Sequence, residues 1–317
     1  MKLPEELKTN LEEISNKYKQ TELKNAYSNI SERYMNRQRT GTTLLSSEID
    51  VVSYANARMP ATYTAVHSAI ENSYKYIKDI EIKSLLDVGS GTGAATWAAN
   101  EIFDFKEITC VEREENMLKF GKKLMQNTNL EKAEWTLKDI TVGVLMEKAD
   151  FVVSSYMLNE IKEEQKETVL KKLWQSTNKF LFIIEPGTPE NYKSMMKYKK
   201  ALIEQGATII APCPQGTECK LPEYDWCHFT CRIERTKIHK NLKDAESPFE
   251  DEKYIYLLAS KEEISGTQNR VLRHPKISKG YVELKICTPN GIEEEKITKK
   301  DGEKYKKARK IGAGEEL

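Results

Sequence analysis

Leu85-Leu86-Asp87-Val88-Gly89-Ser90-Gly91-Thr92-Gly93 runs from an apolar strand straight into a glycine-rich turn. An alanine-rich helix start follows, Ala94-Ala95-Thr96-Trp97-Ala98-Ala99. Glycines in such a turn supply positive φ and let a ligand approach the backbone closely. The helix behind them offers its N-terminal N–H groups to a polar ligand. A second apolar run, Glu107-Ile108-Thr109-Cys110-Val111-Glu112, ends in an acid 23 residues after Gly89. A carboxylate there is placed to accept hydrogen bonds from ribose hydroxyls. A tight strand-to-helix turn would explain the glycines alone; turn, helix and acid in this order predict a nucleotide-type site.

The nicotinamide fingerprint is G-x-G-x-x-G. Here the glycines alternate strictly, and Asp87 stands two residues before the first. That form resembles the first motif of class I S-adenosylmethionine (SAM) methyltransferases. Lys138-Asp139-Ile140 resembles the segment that flanks adenine in those enzymes, although a surface-turn aspartate looks the same. The resemblance implies SAM contacts by Asp87, Gly89, Gly91, Gly93, Glu112 and Asp139.

The surrounding pattern agrees. Strands at 83–88, 107–112, 150–154 and 179–184 alternate with helices at 94–102, 114–127, 160–176 and 190–205, which predicts an α/β doubly wound, Rossmann-like sheet. Two later strands, Tyr254 to Ala259 and Tyr281 to Ile286, are expected to complete seven strands with a closing hairpin. Upstream, Leu3, Leu7, Leu11, Ile14 and Tyr18, then Leu23, Tyr27, Ile30 and Tyr34, recur at helical spacing. Gly41-Thr42-Thr43 reads as a break. Helical signal resumes near Ser53 and runs to Ile77, interrupted near Pro60. Residues 1–80 thus read as a helical N-terminal module whose polar faces carry Arg33, Arg37, Arg39 and Arg58. Residues 81–317 read as the methyltransferase-like domain, with an insertion at about 206–248.

The chain has 317 residues, 39% apolar and 31% charged, a polar but foldable composition. Apolar runs such as Phe180 to Ile184 are far too short to span a bilayer. The N-terminus, Met1-Lys2-Leu3-Pro4-Glu5-Glu6, lacks the apolar region of a signal peptide. The expectation is a cytoplasmic protein, without membrane contact, whose six cysteines are not structural disulfides. Net charge is +1, yet Lys296 to Lys310 holds eight basic residues against two acids. Arg232, Arg235, Lys237, Lys240 and Lys243 form a second basic cluster. A basic run is usually a solvated face; two of them on a near-neutral chain point to RNA or another polyanion, with no DNA expected.

The insertion carries Cys213, Cys219, Cys227, His228 and Cys231 within 19 residues, in a proline-rich segment from Ala211 to Arg232. So small a segment buries little surface and needs a clip. In a reducing compartment that clip is a metal or an iron–sulfur cluster; free thiols in an apolar pocket are the plainer alternative. Zinc ligands usually pair as C-x₂₋₄-C. Only Cys227 and Cys231 are that close, so spacing leaves zinc and a cluster both open. His228 reads equally as a zinc ligand or a packed core histidine. Ala211-Pro212-Cys213-Pro214 resembles the nucleophile segment of RNA cytosine-5 methyltransferases, but in those it follows the fourth strand. Here that strand leads into Ser154-Ser155-Tyr156-Met157-Leu158-Asn159-Glu160.

Further motifs carry a closer resemblance: Ala57-Arg58-Met59-Pro60-Ala61-Thr62-Tyr63, Val153 to Glu160, Ile184-Glu185-Pro186-Gly187-Thr188-Pro189, Asp225-Trp226-Cys227-His228-Phe229, Asp251-Glu252-Lys253, Arg270-Val271-Leu272-Arg273, and Tyr305 to Lys310. From about residue 50 to 310 the chain resembles the ribosomal small-subunit "Rsm-twenty-two" family, mitochondrial methyltransferase-like assembly factors and their bacterial relatives. The resemblance implies the SAM-methyltransferase fold, association with the small ribosomal subunit and its rRNA, and a [4Fe–4S] cluster on Cys213, Cys219, Cys227 and Cys287. Cys231 is extra to that pattern, and Cys110 reads as core. Ser155-Tyr156-Met157-Leu158 lacks the D/N-P-P-F/Y run of exocyclic-amine methyltransferases, and no catalytic base stands out. Three functions stay open: a SAM-binding protein that methylates rRNA or assists subunit assembly; a non-catalytic RNA-binding assembly factor with a vestigial pocket; and a small-molecule methyltransferase with structural zinc.

Overall fold

The computed structural model describes residues 1–35 and 45–317. The break at Gly41 to Thr43, and Arg37 and Arg39, lie outside the described residues. Three helices come first, α1 (Glu5–Ser15), α2 (Gln20–Met35) and α3 (Glu48–Tyr74). The start of α3 is fixed by a capping box, in which Ser47 and Asp50 each accept from the other's backbone N–H. The expected interruption at Pro60 does not occur; α3 runs through it. Proline removes one helical hydrogen bond, but Val51, Val52, Ala55, Met59, Tyr63 and Val66 are buried around the helix, and tertiary packing supplies most helical stability.

The alternating region follows: β1 (Ser84–Val88), α4 (Ala94–Asn100), β2 (Glu107–Glu112), α5 (Glu115–Met125), β3 (Glu134–Leu137), β4 (Ala149–Ser155), α6 (Glu163–Gln175), β5 (Thr177–Pro186), α7 (Pro189–Glu204) and β6 (Thr208–Ala211). Next come β7 (Phe229–Glu234), α8 (Lys237–Leu242) and β8 (Phe249–Ser260). The main sheet has the order β3-β2-β1-β4-β5-β8-β6, with β7 also on β8. The first five strands are parallel, and β8 is antiparallel to β5, β6 and β7. Strand β3, at four residues, has no apolar run that the sequence pattern could reveal.

Tyr254 to Ala259 joins the main sheet as expected, inside β8. Tyr281 to Ile286 does not. It lies in β11 (Tyr281–Thr288), in a second sheet with β9 (Arg270–Val271), β10 (Lys276–Ser278) and β12 (Gly291–Thr298). The reason is local: β11 pairs with β12 over its whole length across Pro289-Asn290. A short turn closes at far lower entropic cost than a return to a distant sheet. The last helix, α9 (Gly302–Ala308), packs Tyr305 and Ala308 under this second sheet, with Val282, Leu284 and Ile297.

One face of the main sheet is covered by α1 to α5, where Leu7, Leu11, Val51 and Trp97 share a core with Phe151, Phe182 and Tyr256. The other face is covered by α6 and α7 through Val169, Leu173, Met195 and Leu202. Among the described residues, no helix is long and apolar enough to cross a membrane.

Candidate functional site

Strand order reverses between β1 and β4, and a crevice outside the C-terminal strand ends at such a point is where open α/β sheets bind ligands. A cavity of about 130 Å³ opens there, between the glycine turn and α3. Gly89, Gly91 and Gly93 have φ of 71°, 57° and 85°. Gly89 is also sterically closed: a Cβ there would sit 2.3 Å from Met157 Cγ and 2.9 Å from Met157 Cβ.

Glu112 ends β2 at the cavity wall, 7% exposed. Its Oε2 accepts from Gly91 N at 2.7 Å, and its Oε1 accepts from the N–H groups of Arg113 and Glu114, both at 2.8 Å. The carboxylate therefore clamps the glycine turn while facing the cavity. Asp139 also lines the cavity, and its Oδ1 accepts from Thr141 N and Oγ1 in a local turn. Asp87 and Gly93 lie behind the lining. Asp87 is fully buried; its Oδ2 accepts from Thr96 N and Thr96 Oγ1, fixing the first turn of α4, while Oδ1 has no partner among the described residues. Burial raises its pKa to about 7 despite those bonds.

The opposite wall was not legible as a site in the sequence. Tyr54, Arg58 and Thr62 come from α3, and Tyr156 and Met157 from the segment after β4. Tyr156 has φ of 56°, a left-handed conformation rare for a bulky side chain. Its hydroxyl donates to Glu252 at 3.1 Å, and Arg58 pairs with the same carboxylate at 3.7 Å. Burial, then Glu252, raise the Tyr156 pKa well above the phenol range, so it stays protonated. Glu185 accepts from the N–H groups of Leu158 and Asn159 at 2.9 and 3.3 Å, anchoring that segment from below. It touches backbone there and does not line the cavity.

A second cavity gathers Cys213, Cys219, Cys227 and Cys287 with Tyr192 and Arg270. The three loop cysteines thus meet the one from β11, 60 residues further on from Cys227. Burial, and after it the neighbouring Cys213 and Cys219, raise the Cys227 thiol to about 12. Burial also raises Cys287, as do the same neighbours. Among the described residues, no three His, Cys, Asp or Glu side chains form a group of single-metal dimensions; the four thiols share a cavity without closing into such a group. Cys231 lies away from it on β7, its thiol donating to Glu252 O. His228 also lies outside it, packed at a tilt against Trp226 with 5.2 Å between ring centroids. Cys110 is fully buried beside Thr96. Asp225 ties the loop to the second sheet by pairing with Lys285 of β11 and with Arg273.

The two basic runs differ. Arg232 pairs with Asp251, and Arg235 and Lys243 pair with Glu250. At the C-terminal end, Lys304 and Lys306 pair with Glu295 and Glu303. Lys299, Lys300, Lys307 and Lys310 are exposed, with no ion pair among the described residues.

The parallel strands, the antiparallel β8 beyond them, the glycine turn after β1 and the acid after β2 define the class I SAM-methyltransferase fold. Residues 48–317 match the family model described as "Mitochondrial small ribosomal subunit Rsm22", and the chain belongs to that family. It is 26% identical over 261 residues to the human protein named "Ribosome assembly protein METTL17, mitochondrial", covering 75% of this chain and 55% of the relative. The chain therefore spans about half the length of that curated relative. Among solved structures, it is similar to magnesium protoporphyrin IX methyltransferase of Synechocystis with bound SAM (13% identity, 74% of this chain and 94% of that one, TM-score 0.42). It is also similar to the N-methyltransferase NodS of Bradyrhizobium japonicum (11%, 62% and 86%, TM-score 0.41). At these low scores the strand order, not the likeness, carries the fold.

Proposed function

We propose that the protein binds SAM at the β1–β4 crevice and serves the small ribosomal subunit, methylating its rRNA, assisting its assembly, or both. The carrying observation is the clamp of Glu112 on the glycine turn at the topological switch point. It presents a buried carboxylate beside backbone N–H groups, which suits the ribose and polar groups of a nucleoside. Family membership and the name of the human relative support the ribosomal partner. Lys299, Lys300, Lys307 and Lys310 supply the unpaired cations that phosphates attract.

A second reading, SAM held without methyl transfer, is favoured by one observation. The Tyr156 hydroxyl at the cavity wall is committed to Glu252 and stays protonated, so it cannot take a proton from a substrate. Incubation of the protein with small-subunit particles and methyl-labelled SAM separates the two. Label in rRNA supports an enzyme; co-sedimentation without label supports an assembly factor. Failure to co-sediment overturns the ribosomal reading.

Cys213, Cys219, Cys227 and Cys287 are proposed to hold a [4Fe–4S] cluster, with structural zinc as the alternative. What supports this is the donor set itself: four thiols converge on one cavity that also contains a buried Arg270. Such a group would pin the segment between β6 and β7 to the second sheet. The division into residues 1–80, 81–317 and an insertion at about 206–248 is likewise a proposal. A reducing compartment is all the cluster needs; the sequence suggests the cytoplasm, whereas the human relative is named mitochondrial.

A further inference from the structure

Lys199 belongs to no site described so far. It sits on α7 and is completely buried. Tyr192, Met196 and Lys199 are spaced to share one face of that helix, and the first two line the cysteine cavity. The Lys199 ammonium points the same way: its Nζ lies 3.5 Å from Cys213 Sγ. No carboxylate pairs with it among the described residues. The rest of that wall is apolar, with Ile255, Leu257 and Leu272.

This arrangement is unfavourable as it stands. An ammonium removed from water loses strong solvation, and proteins restore it with an opposite charge. A neutral thiol is only a weak acceptor. Arg270, the other cation on this cavity, is 2% exposed and already committed: it donates to Pro212 O at 2.9 Å, to Thr267 Oγ1 at 3.0 Å and to Gly314 O. Among the described residues, Lys199 has no such set of oxygens. A metal group carried on several thiolates is net negative, and it would turn the cost of burying Lys199 into an attraction.

We infer that Lys199 is the counter-cation of an anionic, thiolate-bound metal group in the cysteine cavity. It acts through Cys213 and is a positioning residue. The inference rests on the cluster reading above. It adds a charge requirement with two consequences of opposite sign: Lys199 stabilises the loaded protein and destabilises the empty one. A residue that merely packs would stabilise both.

The test compares wild type, Lys199→Met, which keeps the stem and removes the charge, and Met195→Leu as a packing control on the same helix, buried in the core away from the cavity. All three are purified anaerobically, and iron and acid-labile sulfide are counted. Loss of iron to a chelator is then timed. Outer-sphere partners of metal ligands typically matter about 10- to 100-fold in affinity, so Lys199→Met should release iron at least tenfold faster than wild type, and Met195→Leu should not. The midpoint potential for one-electron reduction should move negative in Lys199→Met, because reduction adds negative charge beside the lost cation. After the metal is stripped, Lys199→Met should melt at or above wild type. Wild type without iron and sulfide overturns the cluster reading and this inference with it. Loaded wild type with unchanged release and potential in Lys199→Met overturns this inference alone. So does a stripped Lys199→Met protein that melts well below stripped wild type.

Discussion

Gly89 and Glu112 are the residues on which SAM binding turns. Gly89 combines a φ of 71° with a Cβ direction blocked by Met157. Gly89→Ala should therefore weaken SAM binding by more than tenfold in calorimetry while leaving the sheet folded. Glu112→Ala removes an acceptor for the ribose and also frees the N–H of Gly91, a loss of about 1.5–3 kcal/mol or roughly 10- to 100-fold in affinity. Glu112→Gln keeps an acceptor and should lose less. Glu185 belongs to a different kind of prediction. Burial raises its pKa from 4.5 to about 8, with Glu160 adding to the rise and Lys166 and the two N–H donors opposing it. A carboxyl whose folded pKa lies above its unfolded value stabilises the fold below the unfolded pKa, and that stability is lost as pH rises through the folded one. Asp87 acts in the same direction at about 7. Wild-type stability to urea should fall from pH 5 to pH 8.5, and Glu185→Gln should fall less. Each pKa unit is about 1.4 kcal/mol, so the difference should be on the order of several kcal/mol. Equal slopes would remove Glu185 as the cause.

At the level of elements, the strands and helices from 83 to 205 were legible because each alternates apolar runs with clear turn signals. Other features were not, among them β6 and β7, which the reading of 206–248 as an insertion left out of the main sheet. Strand β3 is short and half exposed, so no period marks it. The continuity of α3 through Pro60 depends on burial by neighbours that a local pattern cannot show. Strand β11 has the composition of a sheet strand, but composition does not name the sheet; the Pro289-Asn290 turn decided it. The α3 wall of the cavity, with Arg58, was visible only as a motif, because its approach to the glycine turn is long-range. The position of α9 also dictates how RNA binding is tested. Tyr305, Ala308 and Ile311 fill the core beneath the second sheet, so truncation would unfold that unit. Replacing Lys299, Lys300, Lys307 and Lys310 with Gln leaves the core intact. Affinity for small-subunit rRNA should drop, and the salt dependence should flatten by about one unit of slope for each phosphate no longer neutralised. An unchanged slope would move the RNA surface elsewhere on the chain.

Over the whole molecule, the cysteine cavity brings both cores of the main sheet, through Tyr256 and through Ile255 and Leu257, up against Cys287 of the second sheet. The segment between β6 and β7 reaches the second sheet through Cys287 on one side and through the Asp225 pairs with Lys285 and Arg273 on the other. In Cys287→Ser, hydrogen exchange should accelerate in residues 212–228 and 270–298 and remain slow in 84–112, since the parallel strands have their own core. The Asp225 pairs should keep the release partial. Acceleration throughout would mean that the cavity supports the whole fold. SAM binding at the crevice is the claim on which the functional reading depends. Calorimetric titration of SAM into anaerobically purified wild type, with Gly89→Ala alongside, tests it most directly. One saturable site per chain in wild type, lost or weakened more than tenfold in Gly89→Ala, is the predicted result; no binding by folded wild type, or equal binding by both, would contradict it.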